Sequence, residues 1–256
     1  MRIYQEILAA KESDQKLLAV LIDPEKIRAD QVHEFIKKVN QSIATHIFVG
    51  GSTDQNNDTE KIVVEIKKYT TLPVILFPGD THQITPKADG ILFLSLISGR
   101  NPEYLIEQQI DAAFKVNQSN LEVLPTGYIL IDGGRETSVQ KVSNTNPIPQ
   151  TDYTLILKTA LAGQFSGKRL IYLEAGSGAK TPVSSVIINC VKSELKIPLI
   201  VGGGIRSIQQ LNNAYNAGAD LVVIGTAFEN DPSFFNELKN TTHEHICGVD
   251  THATSK

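Results

Sequence analysis

The chain has 256 residues, 41% of them apolar, and a formal net charge of −4. The length suits one large α/β barrel, and the acidic balance argues against a nucleic-acid partner, which would leave a basic footprint. No apolar stretch approaches a membrane span, and Met1-Arg2-Ile3-Tyr4-Gln5-Glu6 does not open a signal peptide, so a cytoplasmic protein is expected. Cys190 and Cys247 have no metal-like spacing; Cys190, in an apolar helical run, reads as a buried small hydrophobe.

Apolar, β-branched runs alternate with helical patterns almost to the end. In chain order the predicted strands are Leu17–Ile22, His46–Val49, Val74–Phe77, Gly90–Leu94, Tyr128–Ile131, Leu170–Leu173, Leu199–Val201 and Leu221–Ile224. Near-continuous apolar runs suit parallel strands buried on both faces. Helices are predicted at about 30–40, 57–69, 102–116, 152–165, 182–195, 207–217 and 232–239, with Asp30, Ser207 and Asp231 standing where N-caps are expected. This alternation predicts a single-domain (β/α)8 TIM barrel with its core at about 17–240 and a polar tail over 241–256. The Asp80–Asp89 segment is too short and broken for a full barrel helix, so an irregular third connection is expected. Asp132–Gln150, rich in Gly, Asn, Thr and Pro, reads as a long loop.

The chemistry-bearing residues cluster at strand ends. Asp23 follows the first strand, in Leu21-Ile22-Asp23-Pro24-Glu25-Lys26, and at a barrel mouth its carboxylate could hold a hard cation such as Mg²⁺. The alternative is a turn aspartate ahead of Pro24. Ser52 ends Phe48-Val49-Gly50-Gly51-Ser52 and could face Asp23 from the neighbouring strand, or simply cap a helix. In Tyr172-Leu173-Glu174, period-two alternation puts Tyr172 and Glu174 on one side. If that side is the lumen, Glu174 could accept hydrogen bonds from a polyol or act as a general base; otherwise it forms a structural ion pair. Three glycine turns follow late strands: Gly176-Ser177-Gly178, Gly202-Gly203-Gly204 and Gly225-Thr226. Glycine lets a phosphate approach backbone N–H groups, and in eight-stranded barrels the loops after the last strands commonly bind phosphate. Asp132 could assist at the mouth and Arg135 could meet a diphosphate, or both belong to an ordinary glycine-rich loop turn; Arg100 offers a similar choice. None of the histidines is assigned to zinc or catalysis.

Together these segments resemble the geranylgeranylglyceryl phosphate synthase family, which includes the bacterial heptaprenylglyceryl phosphate synthases. Its pattern is carried by Leu21-Ile22-Asp23-Pro24, Phe48-Val49-Gly50-Gly51-Ser52, Phe77-Pro78-Gly79, Phe93-Leu94-Ser95-Leu96, Pro125-Thr126-Gly127-Tyr128, Tyr172-Leu173-Glu174-Ala175-Gly176-Ser177-Gly178, Gly202-Gly203-Gly204-Ile205 and Gly225-Thr226. The resemblance implies a TIM barrel that joins a prenyl diphosphate to the C3 hydroxyl of sn-glycerol 1-phosphate and releases diphosphate. It implies Mg²⁺ held by Asp23 and Ser52. It places the glycerol phosphate on Tyr172, Leu173, Glu174, Ala175, Gly176, Ser177, Gly178, Gly203, Gly204, Gly225 and Thr226. It implies a homo-oligomer, a dimer or a hexamer, and transient contact with a membrane surface. An apolar trough must hold the prenyl tail, with Leu94, Ile97 and Tyr128 as candidate walls.

Two rival readings share the barrel. A phosphoribosyl-type isomerase would use Asp23 and Asp132 as an acid/base pair. A phosphate-binding sensor would have no need of Asp23 or Glu174, and both are present.

Overall fold

The computed structural model describes residues 3–51, 58–230 and 238. Its parallel strands are β1 (Leu17–Ile22), β2 (His46–Val49), β3 (Val74–Leu76), β4 (Gly90–Leu96), β5 (Glu122–Leu130), β6 (Leu170–Glu174), β7 (Leu199–Gly202) and β8 (Leu221–Ile224). They close in sequence order into a barrel, β1 pairing with both β2 and β8. Alternation along each strand sorts the side chains. Leu17, Ala19, Phe48, Leu92, Tyr172 and Ile200 fill the lumen, while Leu18, Val20, Ile47, Leu173 and Val201 pack outward against the helices.

The helices are α1 (Ile3–Glu12), α2 (Ala29–Asn40), α3 (Thr59–Ile66), α4 (Gln108–Asn117), α5 (Ser138–Ser143), α6 (Tyr153–Phe165), α7 (Ser185–Glu194), α8 (Ile208–Asn216) and α9 (Thr226–Asn230). A π-helical turn, Glu103–Glu107, runs into α4. Ser207 caps α8 by accepting the Gln210 N–H. Asp30 is not the cap expected of it. Gln31 reaches back to accept the Arg28 N–H at 3.2 Å, so α2 starts a residue earlier and Asp30 sits in its first turn. The helix expected at 232–239, with its cap Asp231, and the tail over 241–256 lie outside the described residues, apart from Leu238.

The third connection is irregular, as expected: a single 3₁₀ turn, Thr81–Gln83, stands where a barrel helix would. Other expectations need correction. Strand β5 begins at Glu122, well before the expected Tyr128, and runs through Pro125 and Gly127. Pro125 is tolerated since its carbonyl still accepts the Arg169 N–H at 2.8 Å. Strand β4 runs on to Leu96, its buried Ser95 accepting a hydrogen bond from Lys168 Nζ at 2.6 Å. The segment Asp132–Gln150 is not a plain loop. It carries α5, capped by Thr137, and a bridge between Ile131 and Ile148. Cys190 is half-buried rather than buried.

Helix α1 has no counterpart among the predicted elements. Its Ile3, Ile7 and Ala10, on one helical face, join the lumen cluster and close the N-terminal end of the barrel. Glu122, at the start of β5, accepts the N–H groups of Ile3 at 2.6 Å and Tyr4 at 3.0 Å, anchoring the start of that helix.

At the same end, the carboxylate of Asp220 is 3% exposed. It accepts hydrogen bonds from Lys192 Nζ at 2.5 and 2.6 Å and from the Leu199 N–H at 2.8 Å, tying α7 to the β7 and β8 entries. Removing one partner of such a pair strands the other without its counter-charge. Asp220→Ala is therefore expected to cost about 3 kcal/mol of stability, measured by urea unfolding.

Candidate functional site

A cavity of about 370 Å³ opens at the C-terminal end of the barrel. Two kinds of wall meet in it. Ser177, Gly178, Gly203, Gly204, Gly225 and Thr226 line one side; Leu94, Leu96, Tyr104, Val139 and Val142 line another. Between them lie Tyr172 and Glu174 from the end of β6, with Asp23 and Gly51 at the β1 and β2 mouths.

Glu174 is 6% exposed, and its carboxylate accepts the Gly176 N–H at 2.6 Å and lies beside the Tyr172 phenol. No described cation pairs with it, so the structural ion pair considered from sequence is not formed. Burial raises its pKa from 4.5 to about 7, against the opposing influence of the nearby Tyr172 phenol and the Gly176 N–H. The Tyr172 hydroxyl is buried beside the Glu174 carboxylate, with no other polar partner among the described residues. Burial, and then the charge of Glu174, push the phenols of Tyr172 and Tyr128 well above the usual tyrosine range. The floor below is aromatic: Phe77 stacks on Tyr172 with centroids 5.5 Å apart, and Tyr128 meets Tyr172 edge-on at 5.3 Å.

The glycine turns are shaped by this arrangement. A Cβ on Gly202 would lie 2.4 Å from the Tyr172 hydroxyl and 2.7 Å from Glu174 Oε2. One on Gly203, at φ +82°, would lie 2.3 Å from Glu174 Oε1. The β6 and β8 turns also touch, Ser177 Oγ lying 3.2 Å from Thr226 Oγ1. Three turns distant in sequence thus line one end of the cavity with polar groups. Leu173 and Ala175 behave differently: both are fully buried and pack in the outer layer between strands and helices, so only their main chain is available to a ligand.

Asp23 is a turn aspartate that also lines the mouth. Its Oδ1 accepts the Glu25 N–H at 3.1 Å in the Pro24 turn, while Oδ2 lies 3.2 Å from Lys26 Nζ and the side chain lines the mouth. A Cβ on Gly51 would come 3.2 Å from the Asp23 carboxylate, so glycine there keeps open space beside it. An oxygen donor next to such a space fits Mg²⁺, which typically takes one or two carboxylates and completes its shell with water and substrate phosphate. Ser52 lies outside the described residues.

Asp132 is exposed, accepts the Gly134 N–H at 2.8 Å and does not line the cavity. The Asp23/Asp132 pair required by an isomerase is therefore not assembled. Arg100 turns onto the Gly99 carbonyl at 2.6 Å. Leu94 and Tyr128 line the cavity as expected, but Ile97 packs outside the barrel, near Gly127 and Gly163.

Several contributors carry no local sequence signal. Buried Gln83 donates to the Gly51 carbonyl at 3.1 Å and accepts the Gly79 N–H at 3.0 Å, bracing the turns after β2 and β3. Thr137, Ser138, Val139 and Val142 reach the cavity from the insertion after β5. Asn101 pins that insertion by donating to the Ser143 carbonyl at 2.9 Å. Only the apolar spacing of Val139 and Val142 could have pointed to it.

Fold and site together define a (β/α)8 barrel with a cluster of glycine turns joined to an apolar wall in one cavity. The chain matches the PcrB family over residues 11–243 and belongs to it. It is 60% identical over 229 residues to the geranylgeranylglyceryl phosphate synthase of Zunongwangia profunda, covering 90% of this chain and 97% of that protein. It is 56% identical over 234 residues to the enzyme of the same name from Flavobacterium johnsoniae, covering 91% and 96%. Among solved structures it superposes with a TM-score of 0.88 and 35% identity on (S)-3-O-geranylgeranylglyceryl phosphate synthase from Thermoplasma acidophilum in complex with its substrate sn-glycerol-1-phosphate, covering 93% and 96%.

The crowding at Gly203 has a measurable consequence. Gly203→Ala must either displace Glu174 or distort a positive-φ turn, and is expected to lower the thermal midpoint by roughly 5 °C. Differential scanning calorimetry would check this, with Ala on the open turn at Gly225 as the mild comparison.

Proposed function

We propose that this chain is a prenyltransferase that joins geranylgeranyl diphosphate, or another long prenyl diphosphate, to the C3 hydroxyl of sn-glycerol 1-phosphate. The observation carrying the reading is that one cavity has a glycine-turn end and an apolar end, with a buried, unpaired carboxylate where they meet. A substrate pair consisting of a small phosphorylated polyol and a long apolar diphosphate matches that division.

The residues divide the work. The turns at Ser177-Gly178, Gly203-Gly204 and Gly225-Thr226 seat the phosphate through backbone N–H groups, with Ser177 and Thr226 adding hydroxyls, while the Gly176 N–H is held by Glu174. Glu174 and Tyr172 orient the glycerol. The bond from prenyl C1 to its diphosphate oxygen breaks, a bond from C1 to the glycerol O3 forms, and the hydroxyl proton passes to Glu174. A carboxylate whose pKa burial has raised to about 7 is matched to that transfer at neutral pH. The aromatic faces of Tyr172, Phe77 and Tyr128 lie beside this point and suit positive charge developing at an allylic carbon. The prenyl tail runs along Leu94, Leu96, Tyr104, Val139 and Val142.

Asp23 and Ser52 are the residues that would hold Mg²⁺. When bound, the ion supplies neutralisation of the leaving diphosphate, and Lys26 adds a side-chain charge at the same mouth. We place the protein in the cytoplasm as a homo-oligomer, a dimer or a hexamer, with transient contact at the membrane that carries its prenyl substrate. Among the described residues no helix is long and apolar enough to cross a membrane.

Labelled sn-glycerol 1-phosphate and a ladder of prenyl diphosphates, with and without Mg²⁺, test the reading. Mg²⁺-dependent prenyl ether formation is expected, reduced on the order of 10²–10³-fold by Glu174→Gln, with Asp23→Ala also strongly impaired. Absence of product at every chain length, from folded protein that binds glycerol phosphate, would sink it. The pH dependence is a separate check. Glu174 must be ionised to accept the proton, so kcat/KM should rise with pH through about 7 and flatten above it, with that limb missing from the residual activity of Glu174→Gln.

A further inference from the structure

Two guanidinium groups converge on the turn after β6. Arg206 follows the β7 glycine run, lines the cavity, and donates Nη2–H to the Ala179 carbonyl at 2.5 Å. Arg135 reaches the same turn from the insertion after β5, exposed and outside the cavity lining. A Cβ on Gly178, whose φ is +71°, would sit 3.0 Å from Arg135 Nη1. So the turn Gly176–Ala179 is flanked by one arginine from the β7 loop and one from the β5 insertion.

Among the described residues neither guanidinium has a carboxylate partner. The acid beside Arg135, Glu136, is engaged with Lys141 at 3.1 Å. On a chain of net charge −4, two unpaired arginines at one turn form a local positive site. Backbone N–H groups offer directed donors but no net charge, whereas a phosphomonoester near neutral pH is close to a dianion. Guanidinium forks supply both the charge and paired donors for phosphate oxygens.

We propose that Arg135 and Arg206 are phosphate-binding residues that reach the phosphomonoester at the Gly176–Ala179 turn and select it for its charge. The inference rests on the glycerol phosphate reading above and assigns it two side chains. Lys26 lies at the β1 mouth beside Asp23. That separation predicts that the arginines govern one substrate and leave the other alone.

The test is steady-state kinetics of Arg135→Gln with each substrate varied in turn over a range of ionic strength. Arg135 makes no hydrogen bond among the described residues, so its removal is not expected to unfold the chain. The KM for glycerol phosphate should rise on the order of tenfold, with kcat and the prenyl diphosphate KM moving by less than about twofold. The decline of kcat/KM for glycerol phosphate with added salt should become shallower. Arg206→Lys, which keeps the charge and loses the fork, should weaken glycerol phosphate while keeping the wild-type salt slope. Calorimetric binding of inorganic phosphate to wild type and Arg135→Gln gives a readout free of catalysis, with affinity expected to fall in the variant. An unchanged KM and salt slope in Arg135→Gln, or a change confined to the prenyl diphosphate, would overturn the proposal. If the wild type forms no prenyl ether, the prenyltransferase reading fails, and phosphate affinity alone then decides for or against the arginines.

Discussion

At the C-terminal end of the barrel, the side chains of Tyr172 and Glu174 fill the space beside β7, so its last residue has no room for a side chain. Gly202 is paired in register with Glu174, and a Cβ there would meet both Glu174 and the Tyr172 hydroxyl. The next residue, Gly203, would meet the other carboxylate oxygen. Because β7 ends in glycine, the two polar side chains of β6 can occupy the lumen instead of being displaced by a neighbouring strand. Closed in on this side and floored by aromatic rings, the carboxylate loses most of its water. Loss of solvation disfavours its charged form, which brings its pKa towards neutrality. The candidate chemistry of the site therefore follows from a steric condition on the neighbouring strand.

The other half of the cavity depends on departures from the regular barrel. Where a third helix would stand, a 3₁₀ turn brings Gln83 into the interior, and its amide braces the Gly51 turn beside Asp23. The insertion after β5 folds back over the mouth, its Val139 and Val142 adding apolar wall. A Cβ on Gly176 would lie 2.1 Å from Thr137 Cγ2, so the insertion also packs against the phosphate-type turn. The irregular segments thus bound both the Asp23 end and the apolar end of the site.

Much of this was legible residue by residue. The apolar runs located every strand, since parallel strands buried on both faces need uninterrupted hydrophobic side chains. Tyr172 and Glu174 could be assigned to one face because alternation in a strand is strict. Where local signals conflicted with tertiary context, the reading slipped. Pro125 and Gly127 look like breakers, yet β5 continues through them. Asp30 looks like a cap, yet Gln31 decides the start of α2. Leu173 and Ala175 belong to the matching motif, but the same alternation that turns Glu174 inward turns them outward.

The sequence by itself determined the periodicities, the glycine positions and the order of elements, because these depend on backbone sterics and burial within a few residues. Closure of the barrel decided which residues meet. Gln83 with Gly51, Ser177 with Thr226 and Arg135 with Gly178 are separated along the chain, and no local pattern encodes their distances. Those contacts exist because eight strands in fixed register bring their C-terminal loops around one opening. The low dielectric at Glu174 has the same origin, since it comes from neighbours supplied by several strands at once.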